Sequence, residues 1–220
     1  LSRFLTTAVL SIIAARILGT VQYGIYSIFM WVVIAGLLLS NLGLHGALLK
    51  YVSEFDPVQQ QLYIKAVLRF ITTINIILLF FVSLILIFLA HPLSNAFTLV
   101  HIPPYIFRLA GVMLWPMAIT QLNTFMLSGL QRFFSLMLGD LLAAVLALTA
   151  VLLVLSIWHT VTAYILTLIG VRILVGAFYS MRVYQALNRS APLPLPPYDK
   201  NRIVRYTGNI SIKAFLDEVV

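Results

Sequence analysis

The chain has no cysteine in 220 residues. That excludes a disulfide framework, a thiol nucleophile and any cysteine-ligated metal. Charge is also scarce, at 9% of residues against about 25% in an average soluble domain. The four histidines, His45, His91, His101 and His159, are scattered, and no metal-ligand spacing is present. There is no Gly-rich phosphate loop and no Gly-x-Ser-x-Gly elbow. The common soluble-enzyme classes are therefore excluded, and neither a metal nor a cofactor is expected.

What is abundant is apolar. Hydrophobic residues make up 62% of the chain and the mean hydropathy is +1.05, more apolar surface than a soluble fold of this length can bury. The fold class is all-α polytopic membrane protein, with the lipid bilayer as first partner. The net charge of +8 does not require nucleic acid, because bases collect in the cytoplasmic loops of membrane proteins.

Six apolar runs long enough to approach a bilayer crossing are predicted at about 4–18, 25–49, 70–90, 106–127, 136–157 and 161–181, within residues 1–181. Gly19 to Gly24 is expected to turn between the first two. Asp56-Pro57 fits a helix start, with Asp as N-cap and Pro at the first helical position. His91 to Tyr105 reads as a loop ended by Pro103-Pro104, and Pro116 should kink the fourth span. Trp158-His159-Thr160 is a minimal turn with an interfacial aromatic. Residues 182–202 carry Pro192, Pro194, Pro196 and Pro197 among bases and read as a cytoplasmic linker. Residues 203–220 open a more polar seventh helix. The chain begins at Leu1 without a signal-peptide cleavage pattern and stops inside that helix, so a longer protein is expected.

Bases fix the expected orientation. Lys50, Lys65, Arg69, Arg132, Arg182, Arg189, Lys200, Arg202 and Arg205 lie in alternate loops, nine against the two (Arg16 and Arg108) on the other side. This puts the N-terminus and the linker in the cytoplasm.

A charge within the hydrocarbon region is costly and usually faces a bundle interior or a wet cavity. Arg16, Arg108, Asp140 and Arg172 are the candidates. Asp140 and Arg172 lie on consecutive antiparallel spans, which allows two readings. They neutralise each other as an ion pair, or Arg172 meets an anionic substrate while Asp140 binds H⁺ or Na⁺. Arg16 and Arg108 either snorkel to the interface or contact phosphate at the outer gate, where a planar guanidinium binds two oxygens at once. Asn41, Gln121 and Asn123 can bond sugar hydroxyls or neighbouring helices. His45 reads as a helix–helix hydrogen bonder rather than a proton relay. Tyr23, Tyr26, Trp31, Trp115 and Trp158 read as interfacial anchors.

The run Arg16-Ile-Leu-Gly-Thr-Val-Gln-Tyr-Gly-Ile-Tyr26, followed by a span reaching Asn41-Leu-Gly-Leu44, resembles the first two helices of the polysaccharide-biosynthesis flippases. These belong to the multidrug/oligosaccharidyl-lipid/polysaccharide exporter superfamily. Ser128-Gly-Leu-Gln-Arg132-Phe and the basic linker support the resemblance. It implies twelve to fourteen spans in two lobes around a central cavity, of which this chain would supply the first. It also implies export of a polyprenyl-diphosphate-linked oligosaccharide across the cell membrane by alternating access, without catalysis, coupled to H⁺ or Na⁺ and serving a polysaccharide polymerase. The substrate contacts would be Arg16, Arg108, Arg172, Asn41 and Gln121, with Asp140 as ion-coupling residue. A multidrug cation antiporter of the same superfamily is the alternative, disfavoured because Asp140 is the one acid embedded in the six runs. A lipid-phosphate transferase would need clustered acids for a metal, or a base, at a loop edge, and there Glu54 pairs with Asp56, which already fits a helix cap. A subunit that only binds partners is the remaining class.

Overall fold

A computed structural model describes residues 2–54, 61–96 and 102–188. The expected Asp56-Pro57 helix start, the linker and the seventh helix lie outside the described residues. Every element described is a helix: α1 (Ser2–Asn41), α2 (Leu44–Glu54), α3 (Gln61–Phe88), α4 (Ala90–Ala96), α5 (Pro104–Gly129), α6 (Phe133–Ile157) and α7 (Val161–Asn188). Among the described residues, five stretches are long and apolar enough to cross a membrane. They are Ala8–Asn41, Val67–Phe88, Pro104–Gly129, Phe133–Ile157 and Val161–Leu187.

The first of these is two helices. Gly19 leaves helical geometry at φ 75°, ψ 171°, a left-handed position that glycine takes without steric penalty. The break is one residue wide. Thr20 to Gly24 are helical, not part of a longer turn as the Gly19–Gly24 spacing suggested. The second break also differs from expectation. The run predicted to reach residue 49 stops at Asn41, because Leu42 (φ 39°) and Gly43 (φ 74°) are both left-handed and α2 starts afresh at Leu44. The side chain of Asn41 eases that restart, its Oδ1 accepting a hydrogen bond from the His45 backbone N–H (3.2 Å).

Proline behaves largely as its chemistry dictates. Pro103 is extended (φ −61°, ψ 139°) and Pro104 opens α5, where a missing N–H costs nothing. Pro116 lies inside α5, and its carbonyl accepts a hydrogen bond from the Thr120 hydroxyl (2.7 Å). The predicted 91–105 loop contains a helix, α4. Its Pro92 falls in the first turn, where no intrahelical donor is needed. At the far end of α5, Gln131 takes the left-handed position (φ 55°). The Arg132 N–H donates to the Leu127 carbonyl and the Gln131 N–H to that of Ser128. This is a Schellman closure formed by the Ser128–Phe133 motif.

α5 is the most enclosed span and α6 the least. Two apolar clusters meet along α5. One joins Leu10, Ala14 and Leu18 to α2, α6 and most of α7. The other joins Phe29, Val33 and Leu37 to the first half of α5 and the start of α7. Polar side chains stitch the seams: Asn75 Nδ2 donates to the Ser40 carbonyl (3.2 Å), and the Ser83 hydroxyl to that of Gly111 (2.9 Å). Phe80, Phe81, Phe88, Leu153 and Ile157 stand exposed, which fits a surface facing lipid rather than water.

Candidate functional site

A groove of about 510 Å3 opens between α3, α5 and α7, within the 300–1,000 Å3 typical of ligand sites. Its wall is apolar except for Ser83, Arg172 and Ser180. Small residues shape it. A Cβ on Gly176 would lie 3.2 Å from Thr120 Oγ1, so glycine lets α7 lie close against α5. Below the groove Asn123, 7% exposed, donates to Ser180 Oγ (2.8 Å) and ties the same two helices.

Arg172 follows Val161 by eleven residues, which places it about 16.5 Å along α7. That is near the midplane of a hydrocarbon core roughly 30 Å thick, too deep for an arginine side chain to reach either surface. Insertion scales put the cost of such a charge at about 2.5–3.5 kcal/mol. The residue is half-buried and interacts electrostatically with Tyr26. Tyr26 belongs to an aromatic cluster with Tyr164 (ring centroids 4.7 Å, edge-on) and Tyr23 (5.8 Å).

The other predicted residues are dispersed. Asp140 accepts a hydrogen bond from the Tyr179 hydroxyl (2.7 Å) in the α6–α7 seam. Tyr179 lies seven residues beyond Arg172, about 10.5 Å further along α7. Arg108 is exposed, its Nη2 3.4 Å from His91 Nε2. Arg16 is exposed on the first half of α1. Asn41 is engaged with α2 as described, and Gln121 is half-buried on α5. Among the described residues, Arg172 is the one predicted contact that lines the groove.

Sequence reasoning missed Ser83 and Ser180, whose signal was a hydroxyl inside an otherwise apolar helix. It read Trp115 as an interfacial anchor, whereas Trp115 lines the groove. It also missed Tyr179. His45 is 2% exposed, but instead of bonding a neighbouring helix its ring stacks on Phe125 (5.0 Å, 15°), and neither ring nitrogen has a hydrogen-bond partner among the described residues.

Comparison with known proteins gives one assignment. The profile of the family described as Polysaccharide biosynthesis protein matches residues 1–212. No curated protein and no solved structure matches. Of the glycines in the runs that carry the resemblance, Gly19 and Gly43 are left-handed, at the breaks that follow the two halves of α1. With its apolar helices and a match over nearly its whole length, the chain belongs to the polysaccharide biosynthesis protein family of multi-pass membrane exporters.

Proposed function

We propose that the protein is a flippase that moves a polyprenyl-diphosphate-linked oligosaccharide across the cytoplasmic membrane by alternating access. In this reading residues 1–181 form one lobe, the linker 182–202 joins it to a second lobe whose first helix starts with 203–220, and no covalent step is performed. The observation that carries it is the position of Arg172, a fixed positive charge at mid-membrane depth in the wall of an apolar groove. A diphosphate crossing the bilayer needs such a contact. The guanidinium fork suits it, the serine hydroxyls suit sugar, and the polyprenyl tail stays in lipid. Arg16 and Arg108 would receive the diphosphate at the outer surface, and Asn41 and Gln121 would add hydrogen bonds. H⁺ or Na⁺ at Asp140 would supply the drive, and a polysaccharide polymerase would take the product.

The full-length protein in proteoliposomes should translocate a fluorescent polyprenyl-diphosphate sugar faster than empty liposomes and leave cationic drugs unmoved. Cation-coupled export of drugs without lipid-linked sugar transport would replace this reading with the antiporter.

The proposed topology has both halves of α1 crossing separately, which makes six crossings with the N-terminus inside. At about 1.5 Å per residue, residues 20–41 span about 33 Å, enough for the hydrocarbon core. The start of this half is tied to the start of α7, because Gln22 Oε1 accepts a hydrogen bond from the Val161 N–H (2.9 Å). In intact cells, a cysteine introduced by Thr20→Cys should react with a membrane-impermeant maleimide, and one introduced by Asn41→Cys should not. Labelling of both positions, or of Asn41→Cys alone, overturns this topology.

A further inference from the structure

We propose that the pocket between the α5–α6 turn and the last turns of α7 binds a net-negative phosphate group at the membrane surface, separately from the groove. The pocket measures about 50 Å3 and is lined by Arg132, Ser135, Arg182, Gln185 and Ala186. One water needs about 10–15 Å3 of such space, so the pocket takes a group of a few heavy atoms and excludes a sugar ring.

Its walls are rich in donors. Two guanidiniums, a hydroxyl and an amide converge, and among the described residues no carboxylate is in the lining. Asp140, the nearest acid on α6, lies five residues beyond Ser135, about 7.5 Å along the axis, and engages Tyr179. Arg182 Nε is buried without a hydrogen-bond partner among the described residues. The Arg182 guanidinium sits 5.0 Å above the Phe178 ring, a cation–π contact that fixes the plane of its fork. An unsatisfied buried donor is costly, and two like charges facing one cavity repel each other. An anion with several acceptor oxygens relieves both, and arginine pairs with phosphate through two parallel hydrogen bonds.

Depth identifies the setting. Arg182 follows Val161 by 21 residues, about 31.5 Å, so the pocket lies one hydrocarbon thickness from the start of α7. That is headgroup level, at the end of the bundle where Gly129 approaches Val52 of α2. The phosphate comes either from an anionic phospholipid or from a soluble phosphate.

The test uses the full-length protein in nanodiscs. Phosphatidylglycerol retention in a phosphatidylcholine background is read by native mass spectrometry, and inorganic phosphate and diphosphate are titrated by calorimetry. Arg132→Gln, Arg182→Gln and Ser135→Asp should each weaken binding about tenfold or more, while Arg69→Gln, an exposed base on α3, should not. Retention of phosphatidylglycerol without a response to the soluble ions assigns the lipid headgroup, and a calorimetric response assigns the soluble phosphate. Arg132→Gln and Ser135→Asp decide the matter should Arg182→Gln fail to fold. Equal binding by wild type and these variants, an equal loss in Arg69→Gln, or no binding of any probe overturns the proposal.

Discussion

Arg172→Ala is expected to slow flipping of a polyprenyl-diphosphate sugar by about 10- to 100-fold without lowering the amount of protein in the membrane. A hydrogen bond to a charged group contributes about 1.5–3 kcal/mol, and each 1.4 kcal/mol is tenfold. Insertion moves the other way, since removing a mid-membrane charge relieves a cost of about 2.5–3.5 kcal/mol. Activity and thermal stability should therefore separate: the alanine variant still inserts and folds yet transports poorly. Arg172→Lys should fall between them, because an ammonium keeps the charge but lacks the planar fork. Wild-type flipping by Arg172→Ala would remove the arginine from the transport step. A loss of transport that tracks a loss of folded protein would reduce Arg172 to a packing role beside Tyr26.

The second large effect concerns Gly139, which is buried in α6 against α7. A Cβ added there would collide with the Tyr179 ring and its hydroxyl. Alanine is ordinarily a better helix residue than glycine by about 1 kcal/mol, so the helix alone favours Gly139→Ala. Packing reverses the sign. The methyl drives out an aromatic ring that is 1% exposed, at about 1–3 kcal/mol for overpacking, and breaks the Tyr179–Asp140 bond at about 1.5–3 kcal/mol. A net loss of roughly 1.5–5 kcal/mol lowers the melting temperature by roughly 3–20 °C on the scale of domains this size. Tyr179→Phe should lose only the hydrogen-bond share. In a Tyr179→Ala background, Gly139→Ala should become nearly neutral, a coupling that a double-mutant cycle measures directly. An unchanged melting temperature for Gly139→Ala in the wild-type background would refute the close contact.

These two residues show what was legible in the sequence. Arg172 stood out because a lone base in an apolar run is conspicuous wherever the chain folds. Pro103-Pro104 and Trp158–Thr160 marked boundaries for equally local reasons, namely a fixed φ with no donor and a polar gap between apolar runs. Tyr179 carried no such mark. In lipid a helix is apolar all round, so periodicity does not show which side meets a neighbour, and close helix contacts rest on small residues such as Gly139 whose partners lie far away in sequence. The groove was hidden for the same reason, since its walls come from three helices and Trp115 resembles any interfacial tryptophan. α4 was masked by Pro92, which suggests a loop until its place in a first turn is known. The break at Leu42–Gly43 was missed because leucine rarely adopts positive φ, and an apolar run gives no warning that it will.

The bond between Gln22 and Val161 also sets a timetable. The partners are 139 residues apart, and chains emerge from the ribosome at about 5–20 residues per second. The first amide donor of α7 thus meets its acceptor roughly 7–28 s after Gln22 is made. For that interval the opening helices wait in the membrane with one of their ties unmade, and a ribosomal pause before α7 would prolong the exposure. Slow codons placed between the two residues would then act on the yield of folded protein without altering a single side chain.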